Sequence, residues 1–278
     1  MLLLVAVTAV WGWTFVLVKG AISQYPTLPF LGIRFVLAAL VLVLVVHRLP
    51  SRAVVRAGIP IGMALAAGYL FQTVGLQTTS AANAGLITGL FVVFTPLLEG
   101  LLGSHVPVRT ALAALIALAG TALLAGSGSG GYRLGDLLVV GCALAFAVHI
   151  VMLGRWAPGL PAAPLAMVQM LVAGLLFAGA GAQQLRMPPG SVWPAIVVTA
   201  VLASALGFLV QTWAQMHISA SRTALILATE PAWALLAAVL LAGQRFGIVQ
   251  GAGAALVLTA IIGHELLAAR DAPLAVAT

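Results

Sequence analysis

Gly68-Tyr69-Leu70-Phe71-Gln72-Thr73 returns as Gly207-Phe208-Leu209-Val210-Gln211-Thr212, 139 residues further along the chain. At the same offset Ser80-Ala81 falls on Ser219-Ala220 and Leu86-Ile87 on Leu225-Ile226, all in apolar surroundings. A duplication within an apolar chain points to two copies of one helical unit, with an interface between them where a substrate site can lie.

Composition fixes the class. Of the 278 residues, 63% are hydrophobic and 6% charged, roughly a quarter of the charged share of a soluble domain. A soluble core could not hide that much apolar surface, so the chain reads as an all-α membrane protein. Cys142 is the one cysteine, which excludes an intrachain disulfide and a multi-cysteine metal site. The formal charge of +7 would suggest nucleic acid in a soluble protein. Here the basic residues stand singly at helix ends, which is a topology signal, and no nucleic-acid partner is expected.

Apolar runs long enough to cross about 30 Å of hydrocarbon lie at 2–20, 28–47, 57–77, 80–103, 107–126, 135–154, 163–183, 192–217, 219–242 and 246–268. The breaks at Gln24-Tyr25-Pro26, at His47 to Arg52 and at Ser127 to Gly131 are plain. Those at Gln77 to Ser80 and at His217-Ile218-Ser219 are tight. The stretch 57–103 still has to be two helices, because as a single one it would be about 70 Å long. No basic n-region or cleavage site marks a signal peptide, and no loop is long enough to hold a soluble domain.

With the N-terminus cytoplasmic, Arg48, Arg52, Arg56, Arg109, Arg155, Arg222 and Arg270 fall inside and Arg133, Arg186 and Arg245 outside. That bias favours both termini in the cytoplasm. Pro29 and Pro164 are 135 apart, as are Trp11-Gly12 and Phe146-Ala147. Each half therefore holds five spans, and an odd number sets the second half upside down in the membrane. The expected fold is ten transmembrane helices as two inverted five-helix repeats, 1–126 and 135–268, around a central cavity, with a short cytoplasmic tail at 269–278. Pro96 and Pro231 are again 135 apart, so span 4 carries about one extra helical turn.

Polar residues are costly in hydrocarbon and collect where helices face a cavity. Spans 3 and 4 carry Gln72, Thr73, Gln77, Thr78, Thr79, Asn83, Thr88 and Thr95; spans 8 and 9 carry Gln211, Thr212, Gln215, His217, Ser221, Thr223, Thr229 and Glu230. Spans 5 and 10 are rich in Ala, Leu and Gly and suit close packing or lipid. Any one of the Ser, Thr and Gln residues can be interhelical glue, but the cluster as a whole argues for a wet cavity bounded by spans 3, 4, 8 and 9, with 1 and 6 contributing. Trp11 and Trp13 lie at mid-span, about 200° apart, so at most one of them faces it. Trp11 is favoured because its repeat partner, Phe146, is also aromatic.

Glu230 sits near the midplane of span 9, where an acid costs about 2.5–3.5 kcal/mol to insert. Pro231 follows it and leaves the Leu227 carbonyl without its helical donor, open to a substrate ammonium or to water. An intramembrane acid is read as functional by default. The alternative is a structural partner for Arg222 or Lys19, or a protonated, hydrogen-bonded acid. Glu99 lies near the cytoplasmic end of span 4 and is expected to form a surface-level ion pair with Arg48 or Arg109. His149 is a candidate proton-titrating group or a satisfied structural histidine. Lys19 and Arg34 are taken to flank the outer loop, where they can attract anions or headgroups.

There is no Gly-rich phosphate loop, no metal-ligand spacing among the five His and no nucleophile-base arrangement to nominate, so no cofactor, no metal and no enzymatic activity are expected. Trp11-Gly12 with Phe15 and Lys19, Arg34-Phe35, Thr78-Thr79-Ser80-Ala81-Ala82-Asn83-Ala84 and Glu230-Pro231, set in the duplicated ten-span pattern, resemble the EamA-type members of the drug/metabolite transporter superfamily. The resemblance covers essentially the whole chain and lies nearest the aromatic-amino-acid exporters of the YddG kind. It departs in one respect: where many members close spans 4 and 9 with Gly-Glu-Arg, this chain has Gly103-Ser104-His105 and Gly243-Gln244-Arg245. Mechanisms built on an acid at those corners are not open to it.

What the resemblance implies is a secondary transporter in the inner membrane, exporting small metabolites, amino acids and aromatic ones first, by alternating access. Other metabolites, organic cations or a non-transporting scaffold are the rival readings. Candidate substrate contacts are Trp11, Tyr69, Gln72, Asn83, Phe91, Thr95, His149, Gln211, Gln215 and Glu230. The expected partners are the small substrate, protons as a candidate coupling ion, and the bilayer. The chain is read as working as a monomer.

Overall fold

The computed structural model describes residues 1–46, 49–125, 134–242 and 247–270, and every regular element among them is a helix. Arg48, the Ser127 to Gly131 break, Arg133, the Gly243-Gln244-Arg245 corner and the tail from 271 lie outside the described residues. Among the described residues seven helical stretches are long and apolar enough to cross a membrane, and three shorter apolar ones lie at Thr27–Val43, Val108–Gly120 and Gly251–His264.

In chain order the helices are α1 (Leu2–Ile22), α2 (Thr27–Val43), α3 (Arg52–Gly75), α4 (Ala81–Thr88), α5 (Phe91–Leu101), α6 (Val108–Ala125), α7 (Leu134–Trp156) and α8 (Ala162–Ala180). There follow α9 (Trp193–Val198), a π-helical stretch (Thr199–Leu206), α10 (Gly207–Gln215), α11 (Ala220–Leu227), α12 (Glu230–Ala242) and α13 (Ile248–Arg270). Serines open several of them. Ser51, Ser80 and Ser219 are extended residues whose hydroxyls accept from the N–H groups of Val54, Asn83 and Arg222, satisfying amides that a helix start leaves orphaned. Ser80 and Ser219 are thus the same cap in the two copies of the repeat.

Two expected spans prove to be broken helices. The stretch read as one helix over 80–103 divides at Gly89-Leu90, and that over 219–242 at Ala228-Thr229. Around each break the backbone closes in three-residue steps, Leu90 N–H to Ile87 O at 3.1 Å and Thr229 N–H to Ile226 O at 3.2 Å. Pro231 explains the second break, since it has no N–H for Leu227 and its ring crowds that carbonyl. At the first, Gly89 supplies the weak point, and the Thr88 hydroxyl turns back to Ala84 O at 2.7 Å. The breaks stand 139 apart and the prolines 135, so the extra turn of span 4 lies between its break and Pro96.

α1 packs along α12, α2 along α8, α3 against α7 and α8, and α6 along α13. The α1 contact is close: a Cβ on Gly12 would lie 2.6 Å from Ala234 N and from Trp233 Cβ. On the α6 and α13 pair, Gly120 faces Gly253 O in the same way, while Leu112, Leu115, Ile116, Leu258 and Ile262 are exposed on the outside. That small-inside, large-outside distribution is what helices bathed in lipid show, because close backbone approach rather than hydrophobic exclusion joins them.

Candidate functional site

A narrow cavity at the centre of the bundle leaves about 40 Å³ of room for the centre of a water molecule. α1 contributes Trp11, Thr14, Phe15 and Val18; α2 Arg34; α3 Tyr69 and Gln72, with Leu76 directly after its end; α5 Phe91; α7 Phe146, His149 and Ile150; α10 Phe208 and Gln211. Leu227 and Glu230, on either side of the second helix break, complete it. Of the candidate contacts, Trp11, Tyr69, Gln72, Phe91, His149, Gln211 and Glu230 converge on this space. Asn83 stands off at the start of α4, Thr95 is buried behind the wall, and Gln215 acts one turn back from it.

The walls are aromatic. Trp11 lies 5.1 Å from Phe208 in a tilted pair, and Tyr69 meets Phe146 edge-on at 5.3 Å and Phe208 at 6.0 Å. Trp11 is fixed by its indole N–H, which donates to Ala203 O at 2.7 Å. Ala203 belongs to the π-helical stretch, where carbonyls accept from the fifth residue on in place of the fourth. Trp11→Phe keeps the flat wall but removes the indole N–H that donates to the Ala203 carbonyl. Thermal denaturation in detergent is expected to show a loss of about 1–2 kcal/mol; unchanged stability would mean the bond holds nothing.

The polar groups form a directed set. Gln215 Nε2 donates to Ile150 O at 2.8 Å, so its Oε1 faces Gln211, whose Nε2 donates to it at 3.0 Å. That order leaves Gln211 Oε1 as a buried acceptor without a donor among the described residues. His149 is similarly decided. Gln169 Nε2 donates to Leu165 O and to Thr212 Oγ1, which turns its Oε1 to His149 Nε2 at 2.9 Å and requires the proton on that ring nitrogen. His149 is therefore a positioned side chain, held against Phe208 at 5.7 Å.

Glu230 is 5% exposed and starts α12. Its carboxylate has no hydrogen bond or ion pair among the described residues. Lys19, one of its expected partners, donates instead to the carbonyls of Leu76 (3.0 Å) and Thr79. Beside it, the hydroxyls of Thr8 and Thr229 meet at 2.7 Å and fasten α1 to the break.

Arg34 is the residue that sequence reasoning misplaced. Assigned to the loop flank, it lies two turns inside α2, 2% exposed, in the cavity wall. The helix starts at Thr27, directly after Pro26, so residue 34 is carried about 10 Å inward. A signal was present: an arginine in the middle of Phe30 to Leu37, otherwise apolar, is the pattern by which Glu230 was singled out.

At the two ends the bundle is tied. Beyond Leu76, besides the Lys19 contacts, Thr79 Oγ1 donates to Asp136 at 2.5 Å. At the opposite end Glu99 accepts from Ser221 N–H at 2.9 Å and from its hydroxyl, and Arg155 reaches Leu102 O at 2.8 Å and Ser104 at 3.1 Å. The contact found for Glu99 is thus the start of α11, where exposed N–H groups favour a carboxylate, in place of the arginine pair expected.

A profile of the EamA-like transporter family matches residues 1–126 and 133–264. The chain is 32% identical over 263 residues to an uncharacterized transporter of Archaeoglobus fulgidus, covering 93% of this chain and 83% of that one. It is 31% identical over 159 residues to the uncharacterized transporter YvbV of Bacillus subtilis, covering 54% and 52%. A solved crystal structure of a protein 21% identical in sequence superposes with a TM-score of 0.77 over 96% of this chain and 97% of its own, a likeness of fold.

Proposed function

The chain belongs to the EamA-like transporter family, and on that footing we propose that it exports small amphipathic metabolites, amino acids with aromatic side chains first among them, by alternating access, as the YddG-type exporters do. The observation that carries this reading is the central cavity, where aromatic faces stand next to an unpaired carboxylate, Glu230. Rings stack on such walls, and an ammonium can meet the carboxylate, the Gln211 Oε1 acceptor and the Leu227 carbonyl. Trp11, Tyr69, Gln72, Phe91, His149, Gln211 and Glu230 are the proposed contacts; Asn83, Thr95 and Gln215 act from behind. An organic cation would satisfy the same carboxylate and walls and is the second reading. A non-transporting scaffold would not need polar side chains paired across such a space.

Proteoliposomes loaded with labelled phenylalanine, tyrosine and a panel of other amino acids and amines test it, with and without an imposed proton gradient. Flux of aromatic amino acids above protein-free vesicles is expected. No flux from any of the panel in either direction would sink the transporter reading.

For the architecture we propose ten crossings in two inverted halves, 1–126 and 135–268, with the N-terminus and the 269–278 tail in the cytoplasm and the chain in the inner membrane as a monomer. Helix contacts that exchange between the halves support it: α1 with α12 answers to α7 with α5, and α3 with α8 answers to the π-helical stretch with α2. On a Cys142→Ala background, Gln24→Cys is then expected to react with an impermeant thiol reagent from outside intact cells, and His217→Cys only after permeabilisation. The reverse pattern would overturn the orientation.

A further inference from the structure

An arginine and an acid line one cavity without pairing with each other, and that arrangement has a consequence for the substrate. Arg34 Nε donates to Ser204 Oγ at 2.9 Å and Nη2 to the Tyr69 hydroxyl at 3.2 Å. Its guanidinium carbon lies 4.5 Å from the centre of the Tyr69 ring and 5.1 Å from that of Phe35. These neighbours are neutral. They orient the cation and spread its charge over ring faces, but none balances it. The hydrogen bonds of Arg34 among the described residues come from Nε and Nη2 and none from Nη1, and Glu230, the acid in the same wall, makes no ion pair with it.

A purely structural arginine would be expected to use its donors up in joining α2, α3 and the π-helical stretch, or to draw in the nearest acid. A buried charge left without a counter-charge is expensive, and within a membrane such residues mark a pathway. The geometry of what remains is specific as well. A planar guanidinium held at Nε and stacked on an aromatic face presents its outer N–H groups as a fork, which fits the two oxygens of a carboxylate.

We propose that Arg34 is the anion-recognising residue of the transport site, so that the substrate carries a carboxylate. Arg34 and Glu230 then form the two poles of a site for a zwitterion, with the aromatic walls between them taking its side chain. This inference rests on the proposed transport function and narrows it: an organic cation without an anionic group satisfies Glu230 but leaves Arg34 unbalanced.

The test is competition against labelled phenylalanine in proteoliposomes of the full chain, using unlabelled phenylalanine, phenylalaninamide and phenethylamine, followed by direct flux of each. All three keep the ring and the amine; only the first has the carboxylate. The amide and the amine are expected to compete at least about tenfold more weakly, as loss of a charge-assisted pair implies. Arg34→Gln is expected to erase that preference, and Arg34→Lys to restore part of it. If Arg34→Gln does not fold, Ser204→Ala, which frees Nε while keeping the charge, is expected to weaken phenylalanine more than phenethylamine. Competition by the amide within twofold of phenylalanine on the wild-type protein would overturn the role of Arg34 while leaving transport standing. Absence of flux for all three compounds would overturn the transport reading and this inference with it.

Discussion

Glu230→Gln is expected to fold and to lose most transport, with substrate affinity falling about 10- to 100-fold, the worth of a charge-assisted hydrogen bond of about 1.5–3 kcal/mol. The amide keeps the volume and the capacity to accept, so α12 and its contact with α1 survive. What goes is the charge. In the wild-type protein only the ionised carboxylate can pair with an ammonium, so affinity is expected to decline as the pH falls and Glu230 takes up a proton. The Gln variant should bind weakly and with a flat profile. Titrating phenylalanine binding across pH for both proteins checks this. If the variant moved substrate at the wild-type rate and with the wild-type pH profile, Glu230 would be structural, and the Gln and Thr side chains of α3 and α10 would carry recognition by themselves.

Gly12→Val is expected to be the most damaging substitution to the fold. A Cβ there would already lie 2.6 Å from the backbone nitrogen of Ala234, and backbone cannot swing aside as the end of a side chain can. Gly85 crowds the Ala234 methyl from the other side, at 2.7 Å from its own would-be Cβ, so α12 has no room to retreat. Overpacking of this kind costs about 1–3 kcal/mol and more where nothing yields. Separation of α1 from α12 would also part the Thr8 and Thr229 hydroxyls and shift Glu230 in the wall. Thermal unfolding in detergent should drop by several degrees with loss of transport. A Gly12→Val protein as stable as the wild type would contradict the packing of α1 on α12.

Much of this was legible in the sequence, for identifiable reasons. Hydrophobic run length marks helices in lipid almost without help from tertiary context, so span positions agree with the helices to within a few residues. The echo of Gly68 to Thr73 in Gly207 to Thr212 put Tyr69 with Phe208 and Gln72 with Gln211, and all four reach the cavity. The breaks at Gly89 and Ala228 were not legible as breaks, because a run of apolar residues reads the same through a kink as through a straight helix. Arg34 was misread by its nearness in sequence to the loop, when depth depends on where the helix starts. The roles of Gln169 and Gln215 follow from a chain of donors and acceptors across α7, α8 and α10, which no single span reveals.

The measurement that tests the central claim most directly is substrate-protected labelling inside the cavity from both membrane faces. Thr14 lines the cavity, is close to cysteine in volume, and bonds only to Trp11 O, one turn back, at 2.7 Å. On a Cys142→Ala background in oriented proteoliposomes, Thr14→Cys is expected to react with an impermeant thiol reagent applied to either face in turn. Phenylalanine is expected to slow that reaction from both sides. A cysteine at position 14 that reacts from neither face, or that reacts equally with and without phenylalanine while flux continues, would show that substrate does not pass through this cavity.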